Sequence, residues 1–105
     1  MSDTELMNLD TAGFKSWVAS HDGIIIFHKK LCPHCKVMRT VLAKVKIQIP
    51  EIALATVDSE EYPEIMAEAS VEHVPTLCAV KGGQVQDRQT GVFNPKETIA
   101  FYKKA

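Results

Sequence analysis

The sequence lacks the features that mark secreted, membrane-spanning and nucleic-acid-binding proteins. Its first ten residues, MSDTELMNLD, are acidic and polar and contain neither the basic region nor the apolar run of a secretory signal. No apolar run approaches the length needed to span a bilayer. Twelve Lys and Arg against thirteen Asp and Glu leave a formal net charge of −1, so broad attraction to nucleic acid or anionic membrane is not expected. We therefore predict a cytoplasmic protein that binds neither nucleic acid nor membrane.

Cysteine is scarce too, with three residues in the chain. An odd number cannot pair completely within one molecule, which excludes the disulfide framework of a small secreted protein. The 105 residues, 46% of them hydrophobic, suffice for one domain with its own core. We predict a monomer with a single domain over residues 1–105. Cys78, in an apolar strand pattern, is expected to be a small buried core residue.

Hydrophobic periodicity predicts helices and strands in the order (β)αβαβαββα. The predicted helices are 10–21, 33–48, 59–70 and one opened by a capping box at 94–97; the predicted strands are 4–8, 23–28, 52–58, 75–81 and 84–90. Asp10 and Ser59 are expected helix N-caps, and HDG at 21–23 is expected to end the first helix, with Gly23 able to take a positive φ. Gly82 and Gly83 predict a two-residue hairpin turn. This pattern indicates an α/β fold, a mixed central sheet with helices on both faces.

Two cysteines, Cys32 and Cys35, stand at the junction between a predicted buried strand and a predicted helix. A helix N-terminus favours thiolate over thiol through its unpaired N–H groups and partial positive charge. Cys32 would lie at the helix mouth, where a substrate reaches it, and Cys35 one turn further in and better shielded. A zinc site needs two more ligands, for which only Cys78 and scattered histidines are available, so no metal is expected. The pair in this setting indicates redox exchange.

The segments IIIFHKKLCPHCKVM, VPT at 74–76 and TGV at 90–92 resemble the thioredoxin family, and the likeness covers nearly the whole chain. The CPHC centre is similar to that of the atypical thioredoxins called desulfothioredoxins. DsbA-type oxidases share CPHC but carry a helical insertion for which this chain has no room. The resemblance implies the thioredoxin fold and a protein-disulfide oxidoreductase that acts as an electron carrier without metal or organic cofactor.

The resemblance also implies roles for individual residues. Cys32 would be the nucleophile and Cys35 the resolving thiol, with Pro33 and His34 between them. The substrate-binding groove would consist of Val74, the cis-proline Pro75, and the loop Thr90, Gly91 and Val92. The implied partners are disulfide-containing proteins as substrates and a flavin-dependent thioredoxin reductase as electron donor.

The chain departs from the family pattern around the cysteines. Leu31 and His28 replace two family tryptophans, Ile26 replaces a buried aspartate, and Leu54 replaces the lysine that partners it. The usual aid for deprotonating Cys35 is therefore missing, and His34, water or His28 must serve instead. We further expect a protonated His34 to stabilise the Cys32 thiolate and so make the disulfide easier to reduce.

Two other functions are compatible with the sequence. A glutaredoxin-like enzyme fed by glutathione also uses a Cys-Pro-x-Cys centre, although no clear glutathione site is evident. A binding module or metal carrier would use the groove or the CPHC thiols without turnover.

Overall fold

The computed structural model describes residues 6–105, and its elements follow the predicted order. They are β1 (Met7–Asn8), α1 (Thr11–Ser20), β2 (Gly23–His28), α2 (Pro33–Gln48), β3 (Ala53–Asp58), α3 (Pro63–Glu68), β4 (Thr76–Lys81), β5 (Gln84–Thr90) and α4 (Pro95–Lys104). The predicted edge strand is confirmed at Met7–Asn8, and residues 4 and 5 of that prediction lie outside the described residues. The (β)αβαβαββα order is thus confirmed.

The five strands form one mixed sheet in the order β1-β3-β2-β4-β5. β1, β3 and β2 run parallel, whereas β4 is antiparallel to β2 and β5 is antiparallel to β4. β2 therefore lies at the centre of the sheet and is buried from Gly23 to Phe27. Its last residue, His28, stands opposite Asp58 of β3, and the chain leaves the sheet there to form the loop that carries Cys32.

Each face of the sheet is covered by two helices. α1 and α3 pack on one face, around Phe14, Trp17, Ile25, Phe27 and Ile65. α2 and α4 cover the other, around Ile24, Ile26, Met38, Leu42 and Phe101. Alternate residues of β2 thus enter opposite cores, as the two-residue period of a strand requires. This is the predicted sheet with helices on both faces.

Several short sequence patterns adopt the local structures that they predict. The Asp10 carboxylate accepts a 2.7 Å hydrogen bond from the backbone N–H of Gly13 and caps α1. Asn94 and Glu97 form a reciprocal capping box at the start of α4. Gly82 and Gly83 take φ values of +63° and +83° in the β4–β5 turn, the left-handed pair that a type I′ hairpin turn requires.

The N-cap predicted at Ser59 is wrong. α3 begins at Pro63, with Tyr62 in the N-cap position and no side-chain cap. Proline disfavours the helical conformation in the residue before it, so the helix cannot extend back through Tyr62. The preceding turn is held instead by Asp58, whose carboxylate accepts hydrogen bonds from the backbone N–H groups of Glu60 and Glu61.

The first helix ends at HDG as predicted, but Gly23 does not take the positive φ that was considered for it. α1 ends at Ser20 with His21 as its C-cap, and Gly23 is the first residue of β2, without a positive φ. Glycine is needed there because β3 is close: a Cβ at this position would lie 2.7 Å from the carbonyl carbon of Ala53 and closer still to its oxygen. The requirement is for space between two strands rather than for an unusual backbone conformation.

Candidate active site

Cys32 is the N-cap residue of α2, and Pro33 occupies the first turn, where its missing N–H costs no hydrogen bond. The two cysteines form a disulfide, with their Cα atoms 5.3 Å apart, inside the range for such bonds. The Sγ atom of Cys32 also accepts a 3.2 Å hydrogen bond from the backbone N–H of Cys35. A thiolate at Cys32 would therefore be stabilised by the helix N-terminus itself.

The two sulfurs differ in exposure as predicted. Cys32 is partly exposed, whereas Cys35 is 2% exposed and belongs to the buried side of α2, with Met38 and Leu42. An incoming disulfide thus reaches Cys32 first. This division supports an outer attacking thiol and an inner resolving thiol.

A cavity of about 820 Å³, called the cationic cavity below, opens beside the disulfide. Its lining residues are His28, Lys29, Lys30, Leu31, Cys32, Pro33, Cys35, Lys36, Arg39 and Thr40. The lining includes four cationic side chains and, among the described residues, no acidic one. The surface next to Cys32 is therefore strongly positive although the chain carries a net charge of −1, and this field favours an anionic sulfur over a neutral thiol.

Leu31 precedes the outer cysteine in an unusual conformation. Its φ is +56° and its side chain is 99% exposed. A left-handed conformation is uncommon for a bulky residue, and full exposure of a leucine lacks a folding benefit. The residue thus presents an apolar side chain to any partner that approaches Cys32.

The predicted substrate-binding residues form a second cluster at the same end of the sheet. The Val74–Pro75 peptide bond is cis, and the carbonyl oxygen of Pro75 accepts a 3.0 Å hydrogen bond from the backbone N–H of Gly91. Gly91 has a φ of +113°, which explains why glycine is used in this loop. Thr90 is held by a 2.8 Å hydrogen bond between its hydroxyl and that of Thr76, and Val92 is exposed. None of these five residues lines the cationic cavity.

His28 lies between the cationic cavity and a second, polar cavity of about 410 Å³. The latter is lined by Asn8, Leu9, Asp10, His28, Thr56, Asp58, Glu61 and Tyr62. Burial of the imidazole lowers the pKa of His28, and the positive charge of Arg39 lowers it further. Asp58 and a hydrogen bond with the backbone of Lys29 act in the opposite direction without reversing the shift.

Cys78 is remote from this chemistry. It stands opposite Ile25 in the sheet and belongs to the core on the other face, under α1 and α3. Its thiol is free and buried, and burial raises its pKa to about 12. A thiol in that state is protonated and unreactive at neutral pH, in agreement with its predicted place in the core. Among residues 6–105, no cluster of His, Cys, Asp and Glu is arranged to hold a metal ion.

Sequence reasoning identified Lys29 and Lys30 as a source of positive potential near Cys32 but missed the contribution of Lys36 and Arg39 to the charged lining of the cavity. Lys36 lies four residues after Cys32, and Arg39 four after Cys35, which places each pair on one helix face. That spacing was available in the sequence. The left-handed conformation of Leu31 carried no local signal, because neither glycine nor asparagine marks it.

The α/β sheet, the disulfide at the start of α2 and the cis-proline loop together define a protein of the thioredoxin type. The thioredoxin family model matches residues 5–104. The chain belongs to the thioredoxin family, and its fold is the thioredoxin fold.

Individual relatives agree with this assignment. The chain is 33% identical over 82 residues to mitochondrial thioredoxin of Mus musculus, covering 77% of this chain but 49% of that relative. It thus spans about half the length of that protein. Thioredoxin of Staphylococcus aureus is 31% identical and is covered to 91%, with 90% of this chain aligned. The solution structure of reduced desulfothioredoxin from Desulfovibrio vulgaris Hildenborough is 39% identical, with a TM-score of 0.78 over 94% of this chain and 97% of that one.

No helix among residues 6–105 combines the length and the apolar character that crossing a bilayer requires.

The contribution of His34 can be measured directly. The side chain is exposed beside the buried Cys35, so a protonated imidazole would act on Cys32 through solvent-screened charge. We expect His34→Ala to raise the pKa of Cys32 and to make the reduction potential more negative by about 20 mV, because exposed charge pairs contribute up to about 1 kcal/mol and 30 mV corresponds to about 1.4 kcal/mol. Thiolate absorbance and equilibration with glutathione report the two quantities. His21→Ala, at the far end of α1, is the control, and no movement in either quantity would show that His34 is not the tuning element.

Proposed function

We propose that the protein is a thiol–disulfide oxidoreductase that reduces disulfides of other proteins. The observation that carries this proposal is the Cys32–Cys35 disulfide at the start of α2, with the outer sulfur accessible and the inner one covered. The protein's membership of the thioredoxin family supports the same activity.

The proposed cycle has two exchange steps. The Cys32 thiolate attacks one sulfur of a target disulfide, a bond forms between the two sulfurs, and the other target sulfur leaves as a thiolate. Cys35 then loses its proton and attacks the Sγ of Cys32, which forms the intramolecular disulfide and releases the second target thiolate. Two electrons pass from the protein to the target, and solvent protons convert the released thiolates to thiols. The cycle uses neither metal nor organic cofactor.

The target segment would bind along the cis-proline loop. Val74 is partly buried, and it precedes a residue without an N–H, so its own backbone groups are the ones offered to an extended peptide. Gly91 holds the neighbouring loop against Pro75. We propose that Val74, Pro75, Thr90, Gly91 and Val92 form this substrate-binding groove, with Leu31 as an apolar contact on the opposite side of Cys32.

The proposed electron donor is a flavin-dependent thioredoxin reductase, and the proposed state is a cytoplasmic monomer of one domain. A free, buried third cysteine supports a reducing compartment, where disulfides do not persist as structural bonds. The positive lining of the cavity favours partners with acidic residues around their disulfide. Glutathione is the competing donor, because it is an anionic thiol and a glutaredoxin-like enzyme would use it.

Reduction of insulin disulfides tests the proposed function. We expect turnover with NADPH and thioredoxin reductase, loss of at least about 10²-fold in Cys32→Ser because a serine hydroxyl does not attack disulfides, and no effect of a chelator. Turnover with glutathione and glutathione reductase instead would establish the glutaredoxin-like alternative. Chelator-sensitive thiol binding without turnover would establish a metal carrier and overturn the proposal.

A further inference from the structure

The resolving step needs a base close to Cys35, and the described core around it offers few. Cys35 is almost completely buried, and the sheet residues under that half of α2 include Ile26 and Thr56, which face each other in β2 and β3. Neither takes up a proton. The cavity that contains both cysteines is lined by four cations and by one imidazole, that of His28. His28 is therefore the one described lining side chain that is a base at neutral pH.

One ring nitrogen of His28, Nε2, is buried and has no hydrogen-bond partner among the residues that the structure describes. An unpaired buried polar atom destabilises the folded state, so such an atom calls for a reason. A neutral imidazole carries its proton on one ring nitrogen and a lone pair on the other. In the tautomer protonated at Nδ1, the unpaired Nε2 is the acceptor.

A second unpaired atom borders the same region. The hydroxyl oxygen of Thr56 is buried and, within residues 6–105, unpartnered, and Thr56 lines the polar cavity together with His28 and Asp58. The cavity is polar and large enough to admit water, which needs two or more polar partners to be held. Because His28 lines both cavities, it connects the buried sulfur with a polar space that leads away from it.

We propose that His28 is the proton acceptor for Cys35 in the resolving step, a role that rests on the proposed thiol–disulfide exchange. The Cys35 thiol gives its proton to Nε2, directly or through one water, and the resulting thiolate attacks the Sγ of Cys32. The Cys32–target bond breaks, and the target sulfur leaves with the electron pair. The imidazolium then returns its proton to solvent through the polar cavity, so that protons and electrons balance.

The charges around His28 suit this role. Arg39 on α2 and the cations at Lys29, Lys30 and Lys36 border one side, while Asp58, with Asp10 and Glu61 across the polar cavity, borders the other. Burial and Arg39 hold the pKa of His28 below its ordinary value, which keeps the ring neutral and able to accept a proton at pH 7. The acidic side of the polar cavity would then stabilise the imidazolium while it exists.

The test separates the two exchange steps. Reduced protein is mixed with a disulfide-linked peptide pair, the reaction is quenched with acid, and the mixed disulfide and the closed disulfide are quantified by mass spectrometry. We expect His28→Phe, which keeps a ring of similar size without a base, to slow resolution about 10²-fold, the lower end for general base catalysis, while formation of the mixed disulfide changes little. His21→Ala is the matched control and should behave as wild type.

Two further readouts distinguish proton transfer from a packing effect. In His28→Ala, imidazole added to the buffer should restore resolution, which a merely structural role would not permit. In the wild type the resolution rate should fall as the pH drops through the lowered pKa of His28, and this inflection should disappear in His28→Gln, which also serves if His28→Phe does not fold. Wild-type resolution in a folded variant, or slow resolution that imidazole does not restore, would overturn the proposal. Absence of the first attack in the wild type would instead overturn the proposed function.

Discussion

Cys35→Ser is expected to accumulate stable mixed disulfides with target proteins, on the order of 10²-fold more than Cys32→Ser, because the attacking thiol remains and the resolving thiol is gone. The exposure of the two sulfurs supports this order of events: Cys32 is partly exposed, and Cys35 lies on the buried side of α2. After incubation of the reduced variants with an oxidised cell extract, followed by alkylation, trapped species appear as higher bands on a non-reducing gel. They should disappear when dithiothreitol is added.

Cys78→Ser, combined with each of these variants, provides the control for the third cysteine. Its thiol is buried on the opposite face of the sheet with a pKa of about 12, so the amount trapped should not change. Equal trapping by Cys35→Ser and Cys32→Ser would contradict the roles assigned to the two cysteines. Trapping that depends on Cys78 would show that the third thiol becomes exposed during the cycle.

Much of the fold was predictable because its signals are local. The unbroken apolar run of β2 and the three- and four-residue spacing of α2 each follow from the geometry of one element. The caps at Asp10 and Asn94 and the Gly82–Gly83 turn need only a few neighbouring residues. The position of Cys32 and Cys35 at a helix start was predictable for the same reason, since the strand, the loop and the helix are contiguous.

Other features that were missed depend on contacts between distant segments. The polar cavity next to His28 is lined by residues of β1, β2, β3 and the segment before α3. The residues adjacent to His28 in the sequence do not predict this cavity. The sequence showed that the family's buried aspartate is replaced by Ile26 and left His34, water and His28 as alternative proton acceptors. The structure adds that His28, two residues further along β2 on the same strand face, lines the cavity with both cysteines, whereas His34 does not.

The need for glycine at position 23 also depends on a contact between distant segments, β2 and β3. Its replacement is therefore expected to have the second large effect. We expect Gly23→Ala to lower the free energy of unfolding by roughly 3 kcal/mol or more, a size that overpacking and backbone displacement reach in buried sites. The added methyl group would overlap the backbone of Ala53, where the parallel pairing of β2 with β3 begins. Backbone atoms held in a sheet cannot rotate away as a side chain can. Urea unfolding of the oxidised protein measures the loss.

Gly82→Ala is the matched control because it separates crowding from backbone conformation. Gly82 has a φ of +63°, and a Cβ there would have no atom within 4 Å, so its replacement should cost about 1–2 kcal/mol through the left-handed conformation alone. A loss in Gly23→Ala no greater than in Gly82→Ala would mean that β2 and β3 separate easily at this end. β2 leads directly into the loop before Cys32, so a displacement of β2 in Gly23→Ala could change the reduction potential of the Cys32–Cys35 disulfide. Measuring that potential tests this effect. An unchanged potential would show that the start of α2 holds the cysteine pair independently of β2.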